Sequence, residues 1–142
     1  MANPLNVLVV DDDADVLALV QSLLARLGYQ STLAQSAGEA LDLLTSNRYD
    51  LVLSDIHMSG MNGMQLLRKI LENYDYLPVI LMTGYSEAHT LQDAMVAGAD
   101  EYLTKPFKKS EIEVVLQRAF WRRMSTRHTD RWPSNAQDVK LG

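Results

Sequence analysis

Residues 7–10, 51–53 and 79–82 are apolar at every position, and each run gives way within two residues to a polar one. Successive side chains of a strand point to opposite faces, so a run without polar alternation must be covered on both sides. That requirement points to buried parallel strands, which need helical crossovers between them. The sequence supplies such segments. Val16, Val20, Leu23, Leu24 and Leu27 recur at helical intervals after the first run, and Gly28 stops that helix. A second run at 29–34 precedes Ser36, whose pairing with Glu39 reads as a capping box opening the next helix. Leu66, Leu67, Ile70 and Leu71 mark a helix after the third run, beyond a loop holding Gly60 and Gly63. Pro78 introduces the fourth run, and a weakly apolar helix with Leu91, Ala94, Met95 and Ala97 follows, closed by Gly98. Residues 102–104 read as the fifth strand; Ser110 and Glu113 read as a second capping box before Ile112, Val115, Leu116, Ala119 and Phe120. Strict β–α alternation with short connections predicts a doubly wound α/β fold around a five-stranded parallel sheet with right-handed crossovers.

In such sheets a ligand site lies outside the carboxyl ends of the strands. The unusual polar residues fall there: Asp11 and Asp12, Asp55, Thr83 and Lys105. Three carboxylates converging on one edge repel, each pair costing roughly 3 kcal/mol at about 5 Å and an effective dielectric of about 20. A divalent cation removes that cost, and an all-oxygen donor set favours a hard ion, Mg²⁺ or Mn²⁺. An Asp nucleophile beside cations suits phosphoryl transfer, with Lys105 as a second positive charge and Thr83 as a hydroxyl donor. Asp13, the third acid of its run, reads instead as a helix N-cap.

Composition narrows the function classes. The chain has 142 residues, enough for one compact domain, and a net charge of −5, which argues against nucleic-acid binding by its whole surface. It has no cysteine, which excludes disulfides, thiol nucleophiles and cysteine-based zinc sites. No apolar run approaches the roughly 20 residues of a membrane helix, and the amino terminus turns acidic too soon for a signal peptide. A cytoplasmic location is expected.

The stretches VLVVDDD (7–13), LVLSDIHMSGMNG (51–63), ILMTG (80–84) and EYLTKPF (101–107) together resemble the receiver domains of two-component response regulators, over about residues 5–124. The resemblance implies a flavodoxin-like (βα)5 fold with strand order 2-1-3-4-5. It implies that Asp11 and Asp12 hold Mg²⁺, Asp12 the more directly, and that Asp55 is both ligand and phosphoacceptor, with the backbone carbonyl of His57 completing the protein ligands. Thr83 and Tyr102 match the family's switch pair, and Lys105 its phosphate-contacting lysine, preceding a proline at a position that is cis in the family. Gly84 matches a small-residue position that lets the phosphoryl group approach. Two residues depart from the pattern: Ser59 stands where the family usually has proline, which predicts a looser loop, and Asn62 stands where it usually has aspartate, keeping turn propensity. The imidazole of His57 is expected to face solvent, and the rings of His57 and Tyr85 to flank the path of a hydrolytic water.

The function implied is a phosphorylation-controlled switch, catalysing its own phosphorylation and dephosphorylation, fed by a sensor histidine kinase or phosphotransfer protein. The implied output is a downstream domain or protein, with the face of the fourth helix, fifth strand and fifth helix as a candidate homodimer surface. Two other classes compete. A hydrolase using an aspartyl-phosphate intermediate generally has a carboxylate two residues after the nucleophile, where this chain has His57. A degenerate receiver serving as a binding module would lack an acid, the Thr or the Lys, and all are present. Beyond the domain at 1–124, residues 125–142 read as a polar tail or the start of a linker. Arg118, Arg122, Arg123, Arg127 and Arg131 make this end basic and read as a solvated helix face plus tail; Trp121 lies opposite Ile112 and should be partly exposed, and Trp132 is available to a partner in the same way.

Overall fold

The computed structural model describes residues 5–84 and 90–130, with side chains except at 90, 91, 123 and 125–130. Tyr85, Trp132 and the tail from 131 lie outside the described residues. Five strands alternate with five helices: β1 (Asn6–Val10), α1 (Ala14–Arg26), β2 (Gln30–Ala34), α2 (Ala37–Ser46), β3 (Leu51–Asp55), α3 (Gly63–Asn73), β4 (Val79–Gly84), α4 (Thr90–Ala97), β5 (Glu101–Lys105) and α5 (Lys109–Asp130). The strands form one sheet in the order β2-β1-β3-β4-β5, every pair parallel.

The continuously apolar runs are covered on both faces. Val7, Val9, Leu51, Leu53, Ile80 and Met82 point toward α1 and α5, against Leu17, Val20, Leu24, Ile112 and Leu116. Leu8, Val10, Val52, Val79 and Leu81 point the other way, against Ala40 of α2, Leu66, Leu67 and Ile70 of α3 and Ala94 of α4. Burying each large aliphatic side chain contributes about 1.5–3 kcal/mol, so the sheet is held from both sides.

Local chemistry sets the helix starts. Asp13 caps α1, its carboxylate accepting from the N–H groups of Asp15 and Val16. Ser36 caps α2 through the Glu39 N–H, while Glu39 reaches back to the N–H of Gln35 rather than to Ser36 itself. The expected box at Ser110 and Glu113 does not form. Lys108 ends the loop, and its N–H donates to Glu111 Oε1 at 2.7 Å, so Ser110 already lies inside the first turn. Asn62 does more than turn the chain: its side chain accepts from the Gln65 N–H, and Gln65 accepts from the Asn62 N–H, a reciprocal cap on α3.

On α4, Ala94 is fully buried while Met95 and Val96 are exposed. α5 continues to Asp130, six residues past the end of its apolar stripe at Met124. Trp121 is 61% exposed, as its position opposite Ile112 requires. Arg118 and Arg122 differ from the solvated face read in the sequence. Both clamp Glu101 of β5, at 2.7 and 2.6 Å.

Candidate functional site

Parallel register brings the ends of β1, β3, β4 and β5 to one level. Val10 pairs with Ser54, Asp55 with Met82, and Gly84 with Lys105, so Asp11, Asp55, Thr83 and Lys105 emerge side by side. Asp11 and Asp55 are buried, and Asp12 is exposed beside them. One carboxylate oxygen from each of the three acids lies within 4.8 Å of the others. That spacing and all-oxygen chemistry fit a hard divalent cation.

Lys105 reaches into this group. Its Nζ lies 3.1 Å from Asp11 Oδ2 and 3.2 Å from Asp55 Oδ1, and the Lys105–Pro106 peptide is cis. Burial pushes the Asp55 carboxyl above its ordinary range and Asp11 pushes it further, while Lys105 offsets only part of the rise. Burial opposes the charge on Lys105, but the two acids together outweigh it and hold the ammonium up. Acid repulsion is therefore only partly relieved by the chain's own lysine.

Thr83 is the penultimate residue of β4, buried, and its Oγ1 has no hydrogen-bond partner among the described residues. Such a hydroxyl costs roughly 1–3 kcal/mol of desolvation, so its position calls for a reason beyond packing. Tyr102 pairs in register with Leu81, which puts it on the same sheet face as Thr83, half-buried against the cluster under α4. The His57 side chain is exposed in the β3–α3 loop, and its charge acts weakly on Asp55.

Two glycines separate what the sequence suggested from what the site needs. A Cβ on Gly84 would meet nothing within 4 Å among the described residues, so none of them accounts for the small residue expected there. A Cβ on Gly63 would collide with the Asp55 carbonyl oxygen, and would lie 2.8 Å from Ile56 Cα. Gly63 N–H also donates to Ile56 O at 2.8 Å. The start of α3 thus rests directly on the backbone of the central acid, a role that the sequence could show only as a glycine in a loop. Ser59, expected to loosen that loop, instead ties it down: its N–H donates to Asp12 Oδ2 at 3.1 Å.

Comparison with known proteins agrees with this geometry. A family model described as "Response regulator receiver domain" matches residues 7–117. The chain is 39% identical over 111 residues to the DNA-binding transcriptional regulator NtrC of Klebsiella pneumoniae, covering 78% of this chain and 24% of NtrC. It is 41% identical over 116 residues to the two-component response regulator ARR14 of Arabidopsis thaliana, covering 80% of this chain and 30% of that protein. It therefore spans about a quarter to a third of the length of these curated relatives. A response regulator receiver domain protein from Clostridium thermocellum superposes with a TM-score of 0.80 at 31% identity, covering 86% of this chain and 98% of that one. Among the described residues no helix is long and apolar enough to cross a membrane. Its sheet order, its acid edge and these matches place the chain in the response regulator receiver domain family.

Proposed function

We propose that this receiver domain accepts a phosphoryl group on Asp55 from a phosphohistidine of a sensor histidine kinase or phosphotransfer protein. Asp11, Asp12, Asp55 and the backbone carbonyl of His57 hold Mg²⁺, or Mn²⁺ in its place. The observation that carries the reading is the juxtaposition of three carboxylates, a lysine bridging two of them, and an unpartnered buried hydroxyl. A bound Mg²⁺ neutralises charge on the phosphoryl oxygens during transfer.

The chain's own residues supply the rest. An Asp55 carboxylate oxygen attacks phosphorus in line; the P–O bond forms as the P–N bond breaks, and the electron pair returns to the imidazole of the donor. Lys105, held between Asp11 and Asp55, moves its positive charge from the acid to the incoming phosphoryl oxygens. Thr83 Oγ1 donates to one of those oxygens, and Tyr102 on the same sheet face follows it inward, biasing a pre-existing equilibrium. The cleft of about 490 Å³ at Tyr102, Phe107, Glu111 and Val114, together with exposed Met95 and Val96 of α4, is the surface offered to a second copy or to an output domain. The setting proposed is the cytoplasm.

Incubation with acetyl phosphate and Mg²⁺, followed by intact-mass measurement, tests the reading. One phosphoryl adduct is expected, absent in Asp55→Asn and absent with a chelator. Continuous turnover of a phosphate ester would favour a hydrolase, and no adduct at all a binding module.

A further inference from the structure

Asp12 is the exposed member of the acid trio, and its order has a different origin from that of the other two. Asp11 is buried, accepts the Asp13 N–H at 2.9 Å on one oxygen and meets Lys105 on the other. Asp55 is buried and meets Lys105 as well. Lys105 makes no such bond to Asp12. Among the described residues the hydrogen bond on its carboxylate comes from the backbone N–H of Ser59, 47 positions along the chain.

We infer that the Ser59 amide is a positioning group for the cation pocket: it fixes Asp12 through one carboxylate oxygen and leaves the other to the ion. The inference rests on the reading of Asp11, Asp12 and Asp55 as that pocket. An ionised carboxylate accepts hydrogen bonds and metal on separate oxygens, and an N–H bond to it is charge-assisted. An exposed aspartate must otherwise lose side-chain freedom when it binds, and ordering it beforehand raises affinity without adding a contact to the ion. The loop has the stiffness to act this way. The Gly63 N–H to Ile56 O bond and the Asn62 cap fix its far end, and Ser59 lies midway between that end and His57. One amide therefore sets the spacing between Asp12 and the loop that carries the His57 carbonyl. Proline at 59 could not make this bond, because it has no N–H. The Ser59 side chain contributes nothing to it.

The test uses Ser59→Pro and Ser59→Ala in the intact chain, with Mg²⁺ and Mn²⁺ affinity read by calorimetry and stability read by urea unfolding. Ser59→Ala keeps the amide and should bind within about twofold of the parent. Ser59→Pro should bind about fivefold more weakly, because an aspartate no longer held beforehand must be ordered on binding, and its unfolding should be weakened by no more than the one lost hydrogen bond. In the cation-free protein, hydrogen exchange at the Ser59 amide should accelerate in Asp12→Ala. Equal affinity in Ser59→Pro and the parent overturns the inference, as does Ser59→Ala weakened as much as Ser59→Pro, or an exchange rate at Ser59 indifferent to Asp12. Absence of Mg²⁺ uptake by the parent, with Asp55 left unmodified by acetyl phosphate, overturns the pocket reading itself and the positioning role with it.

Discussion

At the edge where the strands begin, each acid in or beside the core has a partner. Asp50 Oδ2 accepts the Asn6 N–H and Asp100 Oδ2 accepts the Val79 N–H, both at 2.8 Å. Glu101 lies between Arg118 and Arg122. At the edge where the strands end, Asp11 and Asp55 divide one lysine, and Thr83 has no hydrogen-bond partner among the described residues. Titration shows the same opposition. Burial raises both Glu101 and Asp55, but the two arginines more than reverse it for Glu101, whereas Lys105 fails to reverse it for Asp55. One edge is satisfied and holds the fold together. The other leaves its polar groups only partly satisfied by the described residues, which is the observation behind the proposed phosphoryl-transfer site.

The largest effect should come from relieving the second edge. Mg²⁺ at about a hundred times its dissociation constant should stabilise the protein by about 2.7 kcal/mol, measured as a shift in urea or thermal unfolding. Glu101→Gln should keep that increment in full, and Asp12→Asn should lose most of it. An equal increment in all three would mean that the ion binds elsewhere.

Next comes the satisfied edge. Glu101→Gln leaves two arginines facing a neutral group. Breaking a buried pair costs several kcal/mol; here both arginines are half exposed, so a loss of about 2 kcal/mol is expected by urea unfolding. Because the folded Glu101 titrates below its ordinary range, its contribution is present above that range and is lost as pH falls through the folded value. A Glu101→Gln variant that unfolds in acid with the same pH slope as the parent would break the contrast between the edges.

Asp55 has the opposite sign. Its folded carboxyl titrates above the ordinary value, so ionisation costs stability as pH rises from about 3.8 through the folded value. Asp55→Asn should therefore stabilise the cation-free protein at neutral pH, by less than the Glu101 effect, and flatten that part of the pH profile. A loss of stability would show that the Lys105 contact outweighs burial and the Asp11 charge.

Much of this contrast was legible from sequence at the level of strands and little of it at the level of partners. The runs at 7–10, 51–53 and 79–82 specify buried parallel strands through their lack of alternation, and Asp11, Asp55 and Thr83, each within two residues of a run's end, mark the edge where the strands finish. The cap on α1 could be read from Asp13 alone, since it is made within a few residues. The clamp of Arg118 and Arg122 on Glu101 spans 17 and 21 positions, and no local pattern distinguishes it from a solvated basic face. Gly63 and Ser59 were obscure for a related reason. Each acts through backbone contact with a residue on another segment, and side-chain identity records that only indirectly. The start of α5 was misplaced because Ser110 and Glu113 have the capping spacing, but Glu111 is the acid that reaches Lys108.

The smallest effect is the sharpest test of the unsatisfied edge. Valine matches threonine in shape and lacks its hydroxyl, so Thr83→Val removes Oγ1 and little else. Ordinarily such a change in a strand end costs stability, because a hydrogen bond is lost with the hydroxyl. Thr83 Oγ1 is buried with no such bond to lose among the described residues. Its removal should therefore stabilise the unphosphorylated, cation-free protein by about 0.5 kcal/mol in urea unfolding, and should erase part of the conformational response to acetyl phosphate followed by amide chemical shifts at Tyr102. If Thr83→Val destabilises instead, the hydroxyl has a partner in solution, and the carboxyl edge is better satisfied than its geometry implies.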